Sequence, residues 1–188
     1  MHKEDLQPWT RIATHPLLDH PYCRIVEDRV RLPSGQYATW WRFTGTQEVA
    51  CVICQDQYQR ILIAYQYNNA PQRVVDEFPG GGIEAQETSI DAARRELLEE
   101  TGLYAQTIRE IGSFLINNRR SAERMRVCVA TDLEVRTAQP EMTEYVAYEW
   151  VRIQEVDQRI RHGAIENGML LAAWSLFRVW MDRHMAKQ

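Results

Sequence analysis

Glu96, Glu99 and Glu100 are spaced i, i+3, i+4. On a helix that spacing puts three carboxylates on one face, within an arc of about 100°. Carboxylates packed this closely repel one another. A hard divalent cation with oxygen ligands removes the repulsion, and Mg²⁺ is the natural candidate, with Mn²⁺ as its substitute. A solvated acidic face has the same spacing, so the carboxylates alone leave both readings open.

The flanking residues must position them. From Ser89 to Thr101 the chain holds no Gly or Pro and many strong helix formers, which predicts a helix starting after Thr88. Ile90, Ala93 and Leu97 form a neighbouring apolar stripe able to bury it. Gly102 follows the last turn and suits a C-terminal cap. Ahead of the helix, Gly80, Gly81 and Gly82 close a short apolar strand. Glycines there let the backbone turn sharply and approach a ligand closely.

Taken together, glycine, five residues, Glu87, seven residues, then Arg95-Glu96-Leu97-any-Glu99-Glu100-any-Gly102-Leu103 resembles the Nudix box at every specified position. Gln66-Tyr67, Val75-Asp-Glu-Phe-Pro-Gly-Gly81 and Ile165-Glu-Asn-Gly168 resemble the ADP-ribose and nucleotide-sugar pyrophosphatases of that superfamily. The resemblance implies an α/β fold, a Nudix-type α/β/α sandwich with a mixed sheet, with an added N-terminal antiparallel β element. It divides the chain into residues 1–44, a β element that contacts a partner subunit in a homodimer, and residues 45–188, the hydrolase domain.

The resemblance also implies a metal-dependent pyrophosphohydrolase. Its substrate is a nucleoside diphosphate linked to another group, and its products are a nucleoside monophosphate and a sugar phosphate. Gly80 (through its carbonyl), Glu96, Glu99 and Glu100 are the implied metal ligands. Arg95 orients the carboxylates through its planar fork, with Glu87 structural. Glu144 is favoured as general base over Glu141, and Glu96 is the alternative. Arg73, Glu77, Arg119 and Arg120 are candidate substrate contacts, because guanidinium groups suit phosphate and Glu77 matches a family position before Phe-Pro-Gly. Surface solubility accounts equally well for Arg119 and Arg120.

Two departures widen the substrate range. Asn68 stands where many ADP-ribose pyrophosphatases carry Arg, and Asn117-Asn-Arg-Arg stands where they often carry Pro. A nucleotide sugar such as GDP-mannose therefore stays open. Two other classes remain as alternatives: a nucleotide-binding sensor without catalysis, and a nucleoside triphosphate pyrophosphohydrolase.

Composition agrees with an ordinary globular chain: 188 residues, 45% hydrophobic and 26% charged. A net charge of −4 argues against nucleic acid as a partner. No apolar run is long enough to span a membrane, and the first residues lack the apolar core of a signal peptide. Cytoplasmic residence is the expectation. Cys51 and Cys54 form a CxxC, but on a strand i and i+3 face opposite ways, so buried structural thiols are expected.

Extended segments are expected at Trp9–Thr14, 22–32, 37–43, 48–54, 60–67, 74–78, 107–116, 125–130 and 145–151. Helices are expected after Thr88, over 156–162 and over 166–185. The last carries a stripe of Met169, Leu170, Ala173, Trp174, Phe177 and Trp180.

Overall fold

The computed structural model describes residues 2–137 and 146–185, with Met185 described in its backbone alone. Two compact units form. The first takes in Met1–Thr46 and Leu115–Glu123, the second Gln47–Phe114 and Arg124–Gln188.

In the first unit β1 (Thr10–His20), β2 (Cys23–Arg31) and β3 (Tyr37–Thr44) make an antiparallel sheet in that order. β1 runs past the Trp9–Thr14 stretch that the sequence suggested. Pro16 is tolerated because β1 is an edge strand and its register shifts between Pro16 and Leu18. Gly35, at φ 85°, makes the turn expected at Pro33–Gln36, and Leu32 N–H donates to the Gln36 carbonyl at 2.8 Å. Asp28 is buried and compensated. It accepts from Thr14 Oγ1 and Arg42 Nε, each at 2.6 Å, and Arg11 lies 3.1 Å away.

The Leu115–Glu123 segment is built into this unit. Phe43 N–H donates to the Arg120 carbonyl at 2.7 Å, and Trp40 Nε1 to the Arg119 carbonyl at 3.1 Å. The Arg120 guanidinium lies 3.9 Å from the Trp41 ring centroid and 4.6 Å from that of Trp40.

The second unit holds β4 (Val49–Cys54), β5 (Arg60–Asn68), β6 (Arg73–Glu77), β7 (Gly80–Gly82), α1 (Ser89–Thr101), β8 (Leu103–Leu115), β9 (Arg124–Val135), β10 (Val146–Arg152), α2 (Ile153–Arg161) and α3 (Gly168–Met185). A mixed sheet runs β7-β4-β9-β8, with β4 parallel to β9 and antiparallel to β7. An antiparallel sheet runs β10-β5-β6. Ala92, Ala93 and Leu97 of α1 pack with Ala50, Val52, Cys54, Cys128 and Ala130 in one core cluster. By alternation Ile53 and Val127, both fully buried, face the other side of the mixed sheet. α3 contacts β9 and β6. The arrangement is an α/β/α sandwich with a mixed sheet.

α3 is held by its aromatic stripe. Phe78, Trp174, Phe177 and Trp180 stack in sequence, with centroids 6.4, 5.2 and 6.0 Å apart. Met169 falls off that stripe and is exposed. Asn167 caps the helix: its Oδ1 accepts Met169 N–H at 2.9 Å, while its Nδ2 donates to the Asp76 carbonyl of β6 at 3.1 Å.

Three boundaries differ from expectation for backbone reasons. Gly80–Gly82 is itself a strand paired with Val49–Cys51, so the glycines extend the sheet before the chain turns toward α1. β8 starts at Leu103, directly after the Gly102 cap. β9 continues through Val135, beyond its apolar run, because backbone pairing does not require apolar side chains. Cys51, Cys54 and Cys128 are buried free thiols, as expected for the CxxC, and burial pushes Cys54 and Cys128 up to about 12.

Candidate active site

Both ends of α1 are set by local chemistry. Thr88 Oγ1 accepts Asp91 N–H at 3.2 Å, and Gly102, at φ 70°, donates its N–H to the Leu98 carbonyl at 2.9 Å. The helix carries Arg95 at the centre of a carboxylate cluster. Arg95 Nε donates to Glu87 Oε1 at 3.0 Å. Nη1 donates to Glu96 Oε1 at 2.8 Å and Glu99 Oε2 at 3.1 Å. Nη2 donates to Glu87 Oε2 and to the Gly82 carbonyl, both at 2.9 Å. The planar fork thus grips Glu87 with two nitrogens and ties α1 to β7.

The charges are mutually tuned. Glu87 chiefly, then Glu96 and Glu99, raise the Arg95 pKa against the opposing effect of burial. Arg95 holds the Glu87 carboxyl below the usual carboxylate range. Glu87 and Glu96 side chains are about one-seventh exposed, at 14% and 13%, whereas Glu99 is 44% exposed. Glu99 is therefore the member of the cluster most open to a ligand.

The glycines of β7 make room for this cluster. A β-carbon at Gly81 would lie 2.3 Å from Glu96 Oε1. One at Gly80 would lie 2.1 Å from the Ala50 carbonyl oxygen, and Gly80 has φ 153°. The close approach read from the sequence as serving a ligand is made here to a carboxylate of the chain's own helix.

Among the described residues, no three His, Cys, Asp or Glu side chains converge on one metal-sized point. Glu96 and Glu99 are turned onto Arg95. The donor set still has the chemistry of a hard divalent cation site: carboxylate oxygens of Glu96, Glu99 and half-buried Glu100 on one helix, with Gly81 of β7 leaving space for Glu96.

The other candidates have partners of their own. Arg73 is ion-paired with Glu166. Glu77 accepts from Asn68 Nδ2 at 2.9 Å, and burial raises its pKa against that hydrogen bond. Arg119 and Arg120 belong to the first unit, where Arg120 also donates to the Trp41 carbonyl at 2.9 Å. Glu141 and Glu144 lie outside the described residues. The specific need for Gly81 escaped the sequence reading. A run of three glycines signals close approach, but not which atom comes close.

The sequence matches the NUDIX domain model over residues 45–171. An ADP-ribose pyrophosphatase of Mycobacterium tuberculosis is 32% identical over 149 residues, covering 77% of this chain and 71% of its own. Another, of Bacillus subtilis, is 30% identical over 131 residues, covering 70% and 68%. A CMP-5'-(N-acetyl-N-hydroxy-3-aminopropyl)phosphonate hydrolase of Streptomyces rubellomurinus is 25% identical over 155 residues, covering 82% and 75%. A solved structure described as an ADP compounds hydrolase superposes with a TM-score of 0.88 at 17% identity, covering 96% of this chain and 97% of that one. With every box position filled and the family model spanning most of its length, this chain belongs to the Nudix family and is a Nudix hydrolase resembling the ADP-ribose pyrophosphatases.

Proposed function

We propose that the chain hydrolyses the diphosphate bridge of a nucleoside diphosphate linked to a sugar, ADP-ribose or a nucleotide sugar such as GDP-mannose. The products are a nucleoside monophosphate and a sugar phosphate. The observation that carries this reading is the Arg95-centred carboxylate cluster seated against the β7 glycines. The similarity to two ADP-ribose pyrophosphatases supports the substrate class.

Nudix hydrolases generally use divalent metal ions, and Mg²⁺ or Mn²⁺ suits the oxygen donors of Glu96, Glu99 and Glu100 and the Gly80 carbonyl. When bound, the ion supplies charge neutralisation at the diphosphate. The chain's residues do the rest. Glu87 fixes Arg95, and Arg95 fixes Glu96 and Glu99, so the acceptor oxygens are arranged before substrate arrives. A carboxylate, Glu144 or alternatively Glu96, takes the proton of the attacking water. Arg73, Glu77, Arg119 and Arg120 remain candidates for holding the substrate.

The test is product release from ADP-ribose, nucleotide sugars and nucleoside triphosphates with Mg²⁺ or Mn²⁺, comparing wild type with Glu100→Gln. Cleavage of one diphosphate class, lost on adding chelator and reduced at least about 100-fold in the variant, is expected. Pyrophosphate release from triphosphates would move the substrate class. No turnover with binding retained in both proteins would replace the enzyme reading with a sensor.

We further propose that the residue 1–44 element contacts a second copy of the chain. Exposed Ile12, Leu17, Leu18, Tyr22 and Tyr37 on this small sheet support that reading. Light scattering should give the mass of a dimer, and Leu17→Glu should shift it toward monomer. A monomer in wild type at micromolar concentration would end the proposal.

A further inference from the structure

Outside the Arg95 cluster, one more half-buried carboxylate points toward the α1 layer. Strand alternation fixes the direction of Glu77. Its neighbours Asp76 and Phe78 face the opposite layer: Asp76 feels the charge of Arg159 on α2, and Phe78 stacks on Trp174 of α3. Glu77 between them therefore faces α1. The register agrees. Tyr148, Ala64 and Glu77 stand side by side across β10, β5 and β6, and Tyr148 packs against the core cluster that holds Ala92, Ala93 and Leu97 of α1. On α1 itself Glu100 follows Ala93 by seven positions, which puts it about 20° from that buried residue around the helix, so it projects into the same layer. Gly80 follows Glu77 by three positions, a reach of at most about 10 Å along the chain.

Glu77 has no cation paired with it among the described residues. Burial raises its pKa, and a hydrogen bond from Asn68 Nδ2 to its Oε1, at 2.9 Å, opposes that shift. The bond fixes the Asn68 amide, because an ionised carboxylate only accepts and the NH₂ end must face it. The same nitrogen reaches the Gln66 carbonyl at 3.4 Å, so both of its N–H groups are engaged. Two acceptors remain next to one another, Asn68 Oδ1 and Glu77 Oε2, and neither has a hydrogen bond among the described residues.

Such a pair gives a phosphate oxygen no donor, and the Glu77 charge repels it. The pair suits a group that donates twice. Neighbouring hydroxyls of a sugar ring are such a group. The ring joined directly to a diphosphate held at Glu96, Glu99 and Glu100 comes within this reach, whereas a nucleobase stands one ring further out.

We propose that Glu77 and Asn68 read two neighbouring hydroxyls of a sugar ring attached to the diphosphate. Glu77 is the charged acceptor, and Asn68 is both the second acceptor and the group that orients Glu77. The assignment rests on the diphosphate-hydrolase reading and gives Glu77 its part in it.

Substrates lacking single hydroxyls test the proposal. The missing hydroxyl is placed on the nucleoside ribose in one set and on the departing sugar in the other, so that the ring being read is identified. The measurement compares kcat/KM for ADP-ribose and GDP-mannose with that for the two sets of deoxy analogues. Wild type should discriminate against one set about 10- to 100-fold, the contribution of a hydrogen bond to a charged group. Glu77→Gln keeps the shape, but while accepting from Asn68 it turns its own NH₂ toward the ring, a donor in place of an acceptor. It should bring the ratio to within about threefold of one, through KM rather than kcat. Asn68→Ala, which leaves Glu77 free to turn, should cut the ratio at least about threefold. A merely structural role for Glu77 would lower activity on parent and analogue alike and leave the ratio unchanged. That result, or a wild type indifferent to every missing hydroxyl, would overturn the proposal. If wild type cleaves no diphosphate, the hydrolase reading fails instead, and calorimetric titration of metal-free protein with the same compounds decides. Weaker binding of one deoxy set by wild type but not by Glu77→Gln would support the hydroxyl readout, and equal binding of parent and analogue by wild type would overturn it.

Discussion

Arg95 is the residue on which the cluster turns. Removing its side chain takes from Glu87 and Glu96, each about one-seventh exposed, the guanidinium that both of them bond. Arg95→Ala should cost about 2–3 kcal/mol of stability, below the range of about 3–5 for fully buried pairs because water still reaches these groups. Turnover should fall further than stability, since Glu96 and Glu99 lose their common anchor. Denaturant midpoints alongside kcat at limiting and saturating Mg²⁺ check this, and an unchanged rate at limiting Mg²⁺ would refute the anchoring role. Asp28 carries a separate prediction. Burial alone would raise its pKa, but hydrogen bonds from Arg42 and Thr14 and the charges of Arg42 and Arg11 hold it below its ordinary 3.8. A depressed carboxylate stabilises the fold above its unfolded pKa and loses that contribution as pH falls through the folded value. Wild type should therefore lose its stability advantage over Asp28→Asn only below about pH 4. Unfolding curves between pH 2 and 6 that stay parallel would exclude the effect.

At the scale of elements, Asn167 joins a helix cap to a strand. Asn167→Ala removes the cap of α3 and the tie to Asp76, and should cost about 1–2 kcal/mol. Amide exchange should show the loss first in the initial turn of α3, and uniform protection across α3 would argue against it. Elements were the best-read part of the sequence. The start of α1 after Thr88, its cap at Gly102, the α3 stripe and the extended runs of β4 and β5 are local signals, carried by residues a few positions apart. Strand ends read less well. β9 outruns its apolar stretch, and β7 is made of glycines with no side-chain pattern to follow. The Arg95 cluster lies between these cases. The box spacing identifies its members, but the Gly82 carbonyl and the space at Gly81 depend on where β7 comes to rest.

For the whole molecule, the layered fold and the family followed from the sequence, and among the described residues no helix is long and apolar enough to cross a membrane. What escaped the sequence is long-range. The contact of Trp40 with the Arg119 carbonyl spans 79 positions, and no periodicity reports a pairing of that separation. Its consequence concerns how the molecule can be taken apart. A cut before Gln47 looks like a clean excision of an appendage, yet it would strip Trp40, Trp41 and Phe43 from the Leu115–Glu123 tip. That tip joins β8 to β9, so it cannot be discarded with the first unit. The N-terminal sheet is thus not a cassette to be traded between relatives. A chimera that imports it must import residues 115–123 as well, two grafts at distant points of the gene that succeed or fail together.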